Sequence, residues 1–361
     1  MSKKFNPGLL LLARQHRGMS QSELSRKAKV DQGLISRIEN DLLPDDPAPD
    51  CVERLGTALR YPADFFYLED GLAGLPLSIH PMNRKKASVG ANLLKQVHAE
   101  LNLRTIHLRR LLRSAELEPE LPLPQIDPYE GGGPSEIAKS IRRAWSIPDG
   151  PIRNLTDLCE RAGIVIIHCE LSAGIDGVTL KIRDLPPCIF LNASSPADRM
   201  RASLAHELGH VIMHTIPTDQ IEDEANEFAS EFMIPKSTIR RQLAGGRKIT
   251  LQWLAQQKAY WRMSMAFILY KASHAGFLTR HQSEYLWKQM SVRGWRTREP
   301  NETEFKKEQP TVFPSLVELH TKHLGYDIET LAKLLKFHPV DTNNLYHPWI
   351  NRSGPSLLVV D

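Results

Sequence analysis

The sequence contains few cysteines and no long hydrophobic run. Its 361 residues include four cysteines, at positions 51, 159, 169 and 188. Their spacing argues against a disulfide scaffold and fits buried thiols in a reducing compartment. No signal peptide or apolar run of membrane length is present, because the run Leu9–Leu12 is short and is flanked by Arg14 and Arg17. These absences predict a cytoplasmic protein that makes no membrane contact.

Length and turn-forming residues divide the chain into segments. A chain of 361 residues can form two or three domains with ample cores. Five prolines and the glycines at 131–133 fall between positions 119 and 134, a composition typical of a linker. Before this linker, a helix is predicted at 88–114, with an apolar face that suits dimerisation. We therefore predict a first domain at 1–75, a helical connector with its linker at 76–134, a second domain at 135–275 and a helical extension at 276–361.

The pentapeptide 206–210, His-Glu-Leu-Gly-His, carries the clearest chemical signal. Two histidines at i and i+4 lie on one face of a helix, as two ligands of one Zn²⁺ must. Glu207 directly follows the first histidine and would act as a general base on water. A histidine pair on a helix is also common as a plain polar patch with a solvated glutamate beside it. The interpretation therefore depends on the neighbouring segments.

Those segments have the order expected of a zincin-like domain. Residues 188–192 form a short apolar run that predicts a strand. Ser195, Pro196 and Asp198 then predict a helix start, as N-cap, first helical residue and acidic residue of the first turn. A strand, a loop and then the helix with both histidines favour a metal site over a polar patch.

A third metal ligand is expected in the acidic segment 221–233. On a helical wheel, most of its acids, including Glu224 and Glu231, lie away from the apolar face, whereas Glu222 shares that face. A carboxylate facing a core is costly unless it is paired or binds a metal, so we prefer Glu222 to Glu224. Asn226, one turn further, could orient a histidine ligand from behind. Water would take the fourth position, as in catalytic rather than structural zinc sites.

Residues 206–214, 222–229 and 232–235 together resemble the ImmA/IrrE metallopeptidases, with weaker similarity from 137 to 276. The resemblance implies a zinc endopeptidase-like domain with one zinc ion, in a family that often cleaves or inactivates a helix-turn-helix repressor in response to a cue. It assigns His206, His210 and Glu222 as metal ligands and Glu207 as general base. His214 also falls at a family position, where we prefer a role behind the ligands or at the edge of the core to a ligand role.

The N-terminal residues carry a second signal, a series of short helices. Ser20 and Glu23 form the pattern of a capping box, and Asp31 can cap the helix that follows a tight turn. That helix, 32–39, has Ile35 and Ile38 on its inner face. Four or five short helices with a tight turn between the second and third predict a helix-turn-helix domain.

Residues 20–25 and 34–40 resemble the Cro/phage-repressor (XRE) family. The resemblance implies that Gln21 contacts phosphate and that Gln32, Ser36 and Arg37 face base edges in the major groove of a double-stranded DNA operator. Asp41 replaces the glycine that the family usually has after the recognition helix, and an aspartate tolerates the left-handed conformation needed there. Eight lysines and arginines against three acids in the first forty residues agree with phosphate binding. A docking module for proteins alone is the alternative.

The sequence thus predicts a multidomain, mainly α protein. An N-terminal all-α helix-turn-helix domain precedes an α+β zincin-like domain with a small sheet, and a helical extension follows. The expected function is transcription regulation by a bacterial or phage protein, a homodimer at paired half-sites on nucleoid DNA. A zinc metalloendopeptidase of the HExxH type would cleave a repressor-type protein, itself or a partner. The alternative is a ligand-sensing or assembly regulator whose zinc domain has no turnover.

Overall fold

A computed structural model describes residues 4–69, 72, 91–171, 174–216, 218–296, 298–300 and 305–350. The contacts divide the chain into two compact units. Among the described residues, unit 1 contains 4–69, 72, 91–117 and 311–350, and unit 2 contains 118–310. This grouping differs from the predicted segments, because the extension is shared between the two units and the proline-rich linker belongs to unit 2. The predicted stretch 76–90 lies outside the described residues.

Unit 1 is built from helices. Helix α1 (Pro7–His16) packs on a longer helix, α5 (Ala91–Leu111), and α5 also packs against α14 (Val312–Glu318) and α15 (Ile328–Leu335) near the C-terminus. A 3₁₀ turn covers Ala63–Tyr67, and a π-helical turn at Leu319–His323 extends α14. The helices of this unit are α1 Pro7–His16, α2 Gln21–Ala28, α3 Gln32–Glu39, α4 Pro49–Leu59, α5 Ala91–Leu111, α14 Val312–Glu318, α15 Ile328–Leu335 and α16 Pro339–Ile350.

Helices α2 and α3 begin where the sequence predicts. Ser20 and Glu23 form both hydrogen bonds of a capping box at the start of α2. Asp31 caps α3 by accepting from the backbone N–H of Leu34, and Lys29 takes the left-handed conformation in the turn between the helices. Asp41 is also left-handed, with φ of 55°, as its place after the recognition helix requires. The residues in and beside the tight turn of the helix-turn-helix therefore determine its conformation.

The apolar face of α5 does not form a dimer interface of the kind expected. Val97, Leu101, Ile106 and Leu108 are all buried inside unit 1. Helices α1, α14 and α15 cover α5 on its different sides. Periodicity shows that a face is apolar, but it does not show whether the same chain or a second copy covers that face.

Unit 2 combines a three-stranded sheet with helices. The central strand β3 is buried along its whole length and pairs in parallel with β1 and antiparallel with β2. Helices α7 and α8 pack on the sheet, and α9 packs against α8 and α6. The elements of this unit are α6 Pro134–Ala144, α7 Leu155–Arg161, β1 Val165–Cys169, β2 Gly177–Leu180, β3 Cys188–Asn192, α8 Ala197–Met213, α9 Ile221–Met233, α10 Lys236–Gln242, α11 Leu251–Trp261, α12 Met265–His274 and α13 Arg280–Val292.

The start of α8 differs by one residue from the expectation. The N-cap position is Pro196 and provides no side-chain hydrogen bond, while the hydroxyl of Ser195 donates to Asp176 at 3.1 Å. Asp198 lies in the first turn as predicted, but it is buried and accepts a hydrogen bond from Lys258 at 2.6 Å. Both polar side chains serve contacts with distant parts of the chain, which a local capping pattern does not show.

The proline-rich segment 119–134 is ordered against unit 2. The N–H of Ile126 and the side-chain amide of Gln125 both donate to the carbonyl of Ile212, at 2.9 and 2.8 Å. Trp145 donates from its indole N–H to the carbonyl of Pro122 at 2.8 Å. The segment therefore satisfies the carbonyl of Ile212 at the end of α8, accepts a hydrogen bond at its own Pro122 carbonyl, and lies along the domain rather than acting as a free linker.

Candidate metal centre and nucleic-acid interface

Helices α8 and α9 bring the two histidines and the acidic segment together. They can approach closely because residue 209 is glycine: a Cβ there would lie 3.2 Å from Phe228 Cδ1 and 3.3 Å from the Cα of Ala225. This close crossing places Glu222, in the first turn of α9, opposite His206 and His210. The conformational cost of a glycine inside a helix is thus offset by the packing that it permits.

The three side chains converge with their ligand-type atoms. One ligand atom from each of His206, His210 and Glu222 lies within 4.8 Å of the other two. The two imidazole Nε2 atoms are 3.0 Å apart, and each lies 3.5 Å from a carboxylate oxygen of Glu222. Tetrahedral zinc with bonds of about 2.1 Å requires ligand atoms about 3.4 Å apart. Within the described part of the chain, the buried Oε1 of Glu222 has no hydrogen-bond partner. The donor set therefore fits a bound cation.

Electrostatics within the cluster favour a carboxylate beside imidazoles. Burial works against ionisation of Glu222, but the imidazoles of His206 and His210 bring its pKa well below the ordinary value. Burial disfavours the charged form of His206, yet Glu222 and Glu207 raise the pKa of that imidazole overall. The cluster is a partly desolvated site with strongly coupled charges, a common feature of functional sites.

Both histidines have a polar partner on the ring nitrogen that faces away from the cluster. His206 Nδ1 lies 3.0 Å from Asn226 Oδ1, and His210 Nδ1 lies 2.9 Å from Nδ1 of His214. His214 follows α8 directly and is buried, and burial lowers its pKa to about 3. In metalloproteins, polar groups behind a histidine ligand fix its tautomer and ring orientation, and Asn226 and His214 occupy such positions beside the candidate ligands.

Glu207 faces the sheet rather than solvent. It is 3% exposed, and its Oε2 accepts a hydrogen bond from the hydroxyl of Thr179 on β2 at 2.7 Å. Gly177, at the start of the same strand, passes so close that a Cβ would lie 3.0 Å from Glu207 Cγ. Strand β2 therefore holds the carboxylate of Glu207 through Oε2. The other carboxylate oxygen, Oε1, is not the one to which Thr179 donates.

Several residues of the site are absent from the sequence-based expectation. Thr179, Gly177 and Gly209 shape the site through contacts between different elements, for which local periodicity gives no signal. Glu224 was considered only as a competing ligand, yet its carboxylate lies 3.0 Å from His214 Nε2. The burial of Glu231 corrects its expected position on the polar side of α9: it is 2% exposed and forms an ion pair with Lys271 of α12.

The predicted DNA-contacting residues lie on α2 and α3. Gln32 and Arg37 are exposed, and Ser36 is half-buried between them. Ser22 donates to the side-chain oxygen of Gln32 at 2.9 Å. The surface of α3 thus presents an amide and a guanidinium, the groups that read adenine and guanine edges.

The side chain of Gln21 also makes a contact within the helix-turn-helix fold. Its side-chain amide donates to Glu39 Oε2 at 2.7 Å, and Arg14 holds the same carboxylate with two hydrogen bonds of 2.6 and 2.7 Å. This buried network links α1, α2 and α3. The predicted phosphate contact of Gln21 would have to use the remaining amide hydrogen, because the side-chain oxygen and the phosphate oxygens are both acceptors.

Comparison with known protein families finds a match for each of the two domains. Residues 10–66 match the helix-turn-helix family model, and residues 159–273 match the model of the IrrE N-terminal-like domain. No curated protein matches the chain. Among the described residues, no helix has both the length and the apolar character of a membrane span. The two resemblances read from the sequence are confirmed, and the chain has a helix-turn-helix domain followed by a metallopeptidase-type domain.

Proposed function

We propose that this protein, which joins a helix-turn-helix DNA-binding domain to an IrrE-like metallopeptidase-type domain, is a transcription regulator with a zinc-dependent endopeptidase activity. Its substrate is a repressor-type protein, either a copy of itself or a partner, cleaved in response to a cue. The observation that carries the proposal is the convergence of His206, His210 and Glu222 near the buried Glu207.

The residues of the site have distinct roles in this proposal. His206, His210 and Glu222 hold one Zn²⁺, which when bound polarises the scissile carbonyl and lowers the pKa of water. Glu207 takes the proton of the attacking water on Oε1 and passes it to the leaving amine. Thr179 keeps Oε2 hydrogen-bonded, so the buried carboxylate retains one orientation through both proton transfers.

The same proposal assigns the partners and the location. The helix-turn-helix binds a double-stranded operator, with Gln21 on phosphate and Gln32, Ser36 and Arg37 towards the bases. A homodimer on paired half-sites follows from the usual geometry of such readers. A cytoplasmic, nucleoid-associated location in a bacterium or phage suits DNA binding. A protease on the same chain as an operator-binding domain acts where repressors are bound.

Mass spectrometry of the purified full-length protein tests the activity. Wild type and Glu207→Gln are incubated with Zn²⁺, with and without DNA selected by the protein from a random-sequence pool. We expect fragments from wild type only, because the glutamine cannot accept and return the proton. Metal analysis must find zinc in both proteins and none in His206→Ala. Equal fragmentation of wild type and Glu207→Gln, or absence of zinc from wild type, would contradict the proposal.

A second candidate function, ligand sensing without turnover, is favoured by a separate cavity. A polar cavity of about 550 Å³ lies along α9, lined by Glu227, Glu231, Tyr270, Lys271 and His274 among others. The buried Glu231–Lys271 pair forms part of its wall. Normal promoter regulation by Glu207→Gln, with zinc retained, would favour this second function over proteolysis.

A further inference from the structure

A chain of three side chains extends from the metal cluster into the protein. His210 Nδ1 is 2.9 Å from His214 Nδ1, and His214 Nε2 is 3.0 Å from a carboxylate oxygen of Glu224. The side chain of His214 is 3% exposed and that of Glu224 is 16% exposed. The contacts are therefore largely shielded from water, and each polar atom must find its partner within the chain.

With Glu224 ionised and His214 neutral, the hydrogen-bond chemistry allows one arrangement of protons along this chain. An ionised carboxylate only accepts, so Nε2 of His214 must carry the hydrogen. A neutral His214 then offers the lone pair of Nδ1, and Nδ1 of His210 must donate to it. This leaves the lone pair of His210 on Nε2, the atom that lies 3.0 Å from His206 Nε2 and 3.5 Å from Glu222.

The backbone of His214 is held from two sides. Its N–H donates to the carbonyl of His210 at 3.2 Å, and its own carbonyl accepts from Lys181 Nζ at 2.8 Å. The backbone that carries the imidazole is thus held from α8 on one side and from the chain after β2 on the other. Only the choice of tautomer is left to the side chain of Glu224.

We propose that Glu224 is a positioning residue that acts through His214 to keep the Nε2 lone pair of His210 directed at the metal. Asn226 does the same for His206, because its Oδ1 accepts from Nδ1 of that ring at 3.0 Å. Glu224 and Asn226 lie on the same helix as the ligand Glu222, so α9 supplies one ligand and orients the other two. This inference rests on the metal site of the proposed function.

Metal affinity of three variants tests the role of Glu224. Glu224→Gln keeps an acceptor oxygen, Glu224→Met removes it, and Glu224→Lys offers only donors. Competition for Zn²⁺ with a chromophoric chelator at pH 7.5 measures each dissociation constant. We expect Glu224→Gln to stay near wild type, and Glu224→Met and Glu224→Lys to bind about 10–100-fold more weakly. Asp219→Met, at an exposed position just before the same helix, is the matched control and should bind as wild type does.

The tautomers are measured separately in the metal-free protein. The side-chain ¹⁵N shifts of labelled histidines distinguish Nδ1–H from Nε2–H, so we expect His210 as Nδ1–H in wild type and Glu224→Gln, with this preference lost in Glu224→Lys. Wild-type affinity in Glu224→Met and Glu224→Lys, or weakening in Glu224→Gln equal to that in Glu224→Met, would overturn the role of Glu224. If wild type bound no zinc, the proposed function would fail, while the histidine shifts would still decide the inference.

Discussion

Glu207 depends on a single hydroxyl from a neighbouring strand. Thr179→Val keeps the shape of the side chain but removes the donor to Glu207 Oε2, so a buried carboxylate loses a hydrogen bond. Such a loss costs about 1–3 kcal/mol, and we expect the rate of Glu207-dependent fragment formation to fall about 10-fold. Zinc content should not change, because the hydroxyl of Thr179 donates to Glu207, which is not one of the proposed ligands. Thr179→Ser retains the hydroxyl and serves as the control. Wild-type rates in Thr179→Val would show that this hydrogen bond has no catalytic role.

Residues of the site could be predicted only where the evidence for them lies in the neighbouring sequence. Glu222 could be selected because a carboxylate on the apolar face of a helix needs a partner, and its carboxylate does lie at the histidines. The same helical wheel predicted that Glu231 faces solvent. A wheel contains no information on Lys271, which lies 40 residues further along the chain and pairs with Glu231. Thr179 was missed for the same reason: its contact with Glu207 exists only after the sheet and α8 have packed.

At the scale of elements, the capping box of α2 gives a direct test. In Ser20→Ala, the backbone N–H of Glu23 loses its acceptor and the start of α2 loses about 1 kcal/mol. We expect hydrogen exchange of peptides covering α2 and the following turn to accelerate about fivefold, measured by mass spectrometry on the full-length protein. Ser22→Ala is the matched control, since Ser22 lies in the same helix, is exposed and caps nothing. Equal acceleration in both variants would argue against the cap as the cause.

Elements bounded by local chemistry were predicted well, and those bounded by tertiary contacts were not. The strand at Cys188–Asn192 and the helix at Gln32–Glu39 have the bounds expected from composition and caps. The start of α8 shifted because Ser195 donates to Asp176 instead of capping. The segment 119–134 has the composition of a linker, but Gln125 and Ile126 donate to the carbonyl of Ile212, and the carbonyl of Pro122 accepts from Trp145. Composition cannot reveal these contacts.

At the scale of the whole chain, sequence order does not follow spatial grouping. The helices at 312–350 are far along the chain from the helix-turn-helix, yet they belong to the same unit. Asp341 on α16 accepts from Arg17 at 2.5 Å and from Arg60 at 2.8 Å, which joins α16 to the ends of α1 and α4. The helical stretches themselves were predictable, whereas their partner was not, because an amphipathic pattern does not identify the surface that it covers. The C-terminal helices therefore complete the core of the DNA-binding unit.

This completed core contains a buried histidine, and we expect it to make the stability of unit 1 sensitive to acid. Nδ1 of His107 on α5 lies 2.5 Å from the hydroxyl of Tyr346 on α16, and the imidazole is fully buried. Burial, with a further contribution from Arg104, lowers the pKa of His107 to about 3 from an ordinary value of 6.5. Between these two pH values the unfolded chain binds a proton that the folded unit does not. The contribution of His107 to the free energy of unfolding is therefore fully present above pH 6.5. It decreases as the pH falls towards 3, by on the order of 4 kcal/mol from this group alone.

The expected dependence of the free energy of unfolding on pH can be measured in the intact protein. Urea unfolding of 5-fluorotryptophan-labelled protein is followed by ¹⁹F NMR at the resonance of Trp349, which packs on Tyr346 within unit 1. We expect the free energy of unfolding to fall between pH 6.5 and pH 4 in wild type, and to fall less in His107→Gln, which keeps a polar partner for Tyr346 but does not titrate. Parallel pH dependences in the two proteins would exclude His107 as the source, because the other acid-sensitive contacts, such as Glu100 with Arg104, are common to both.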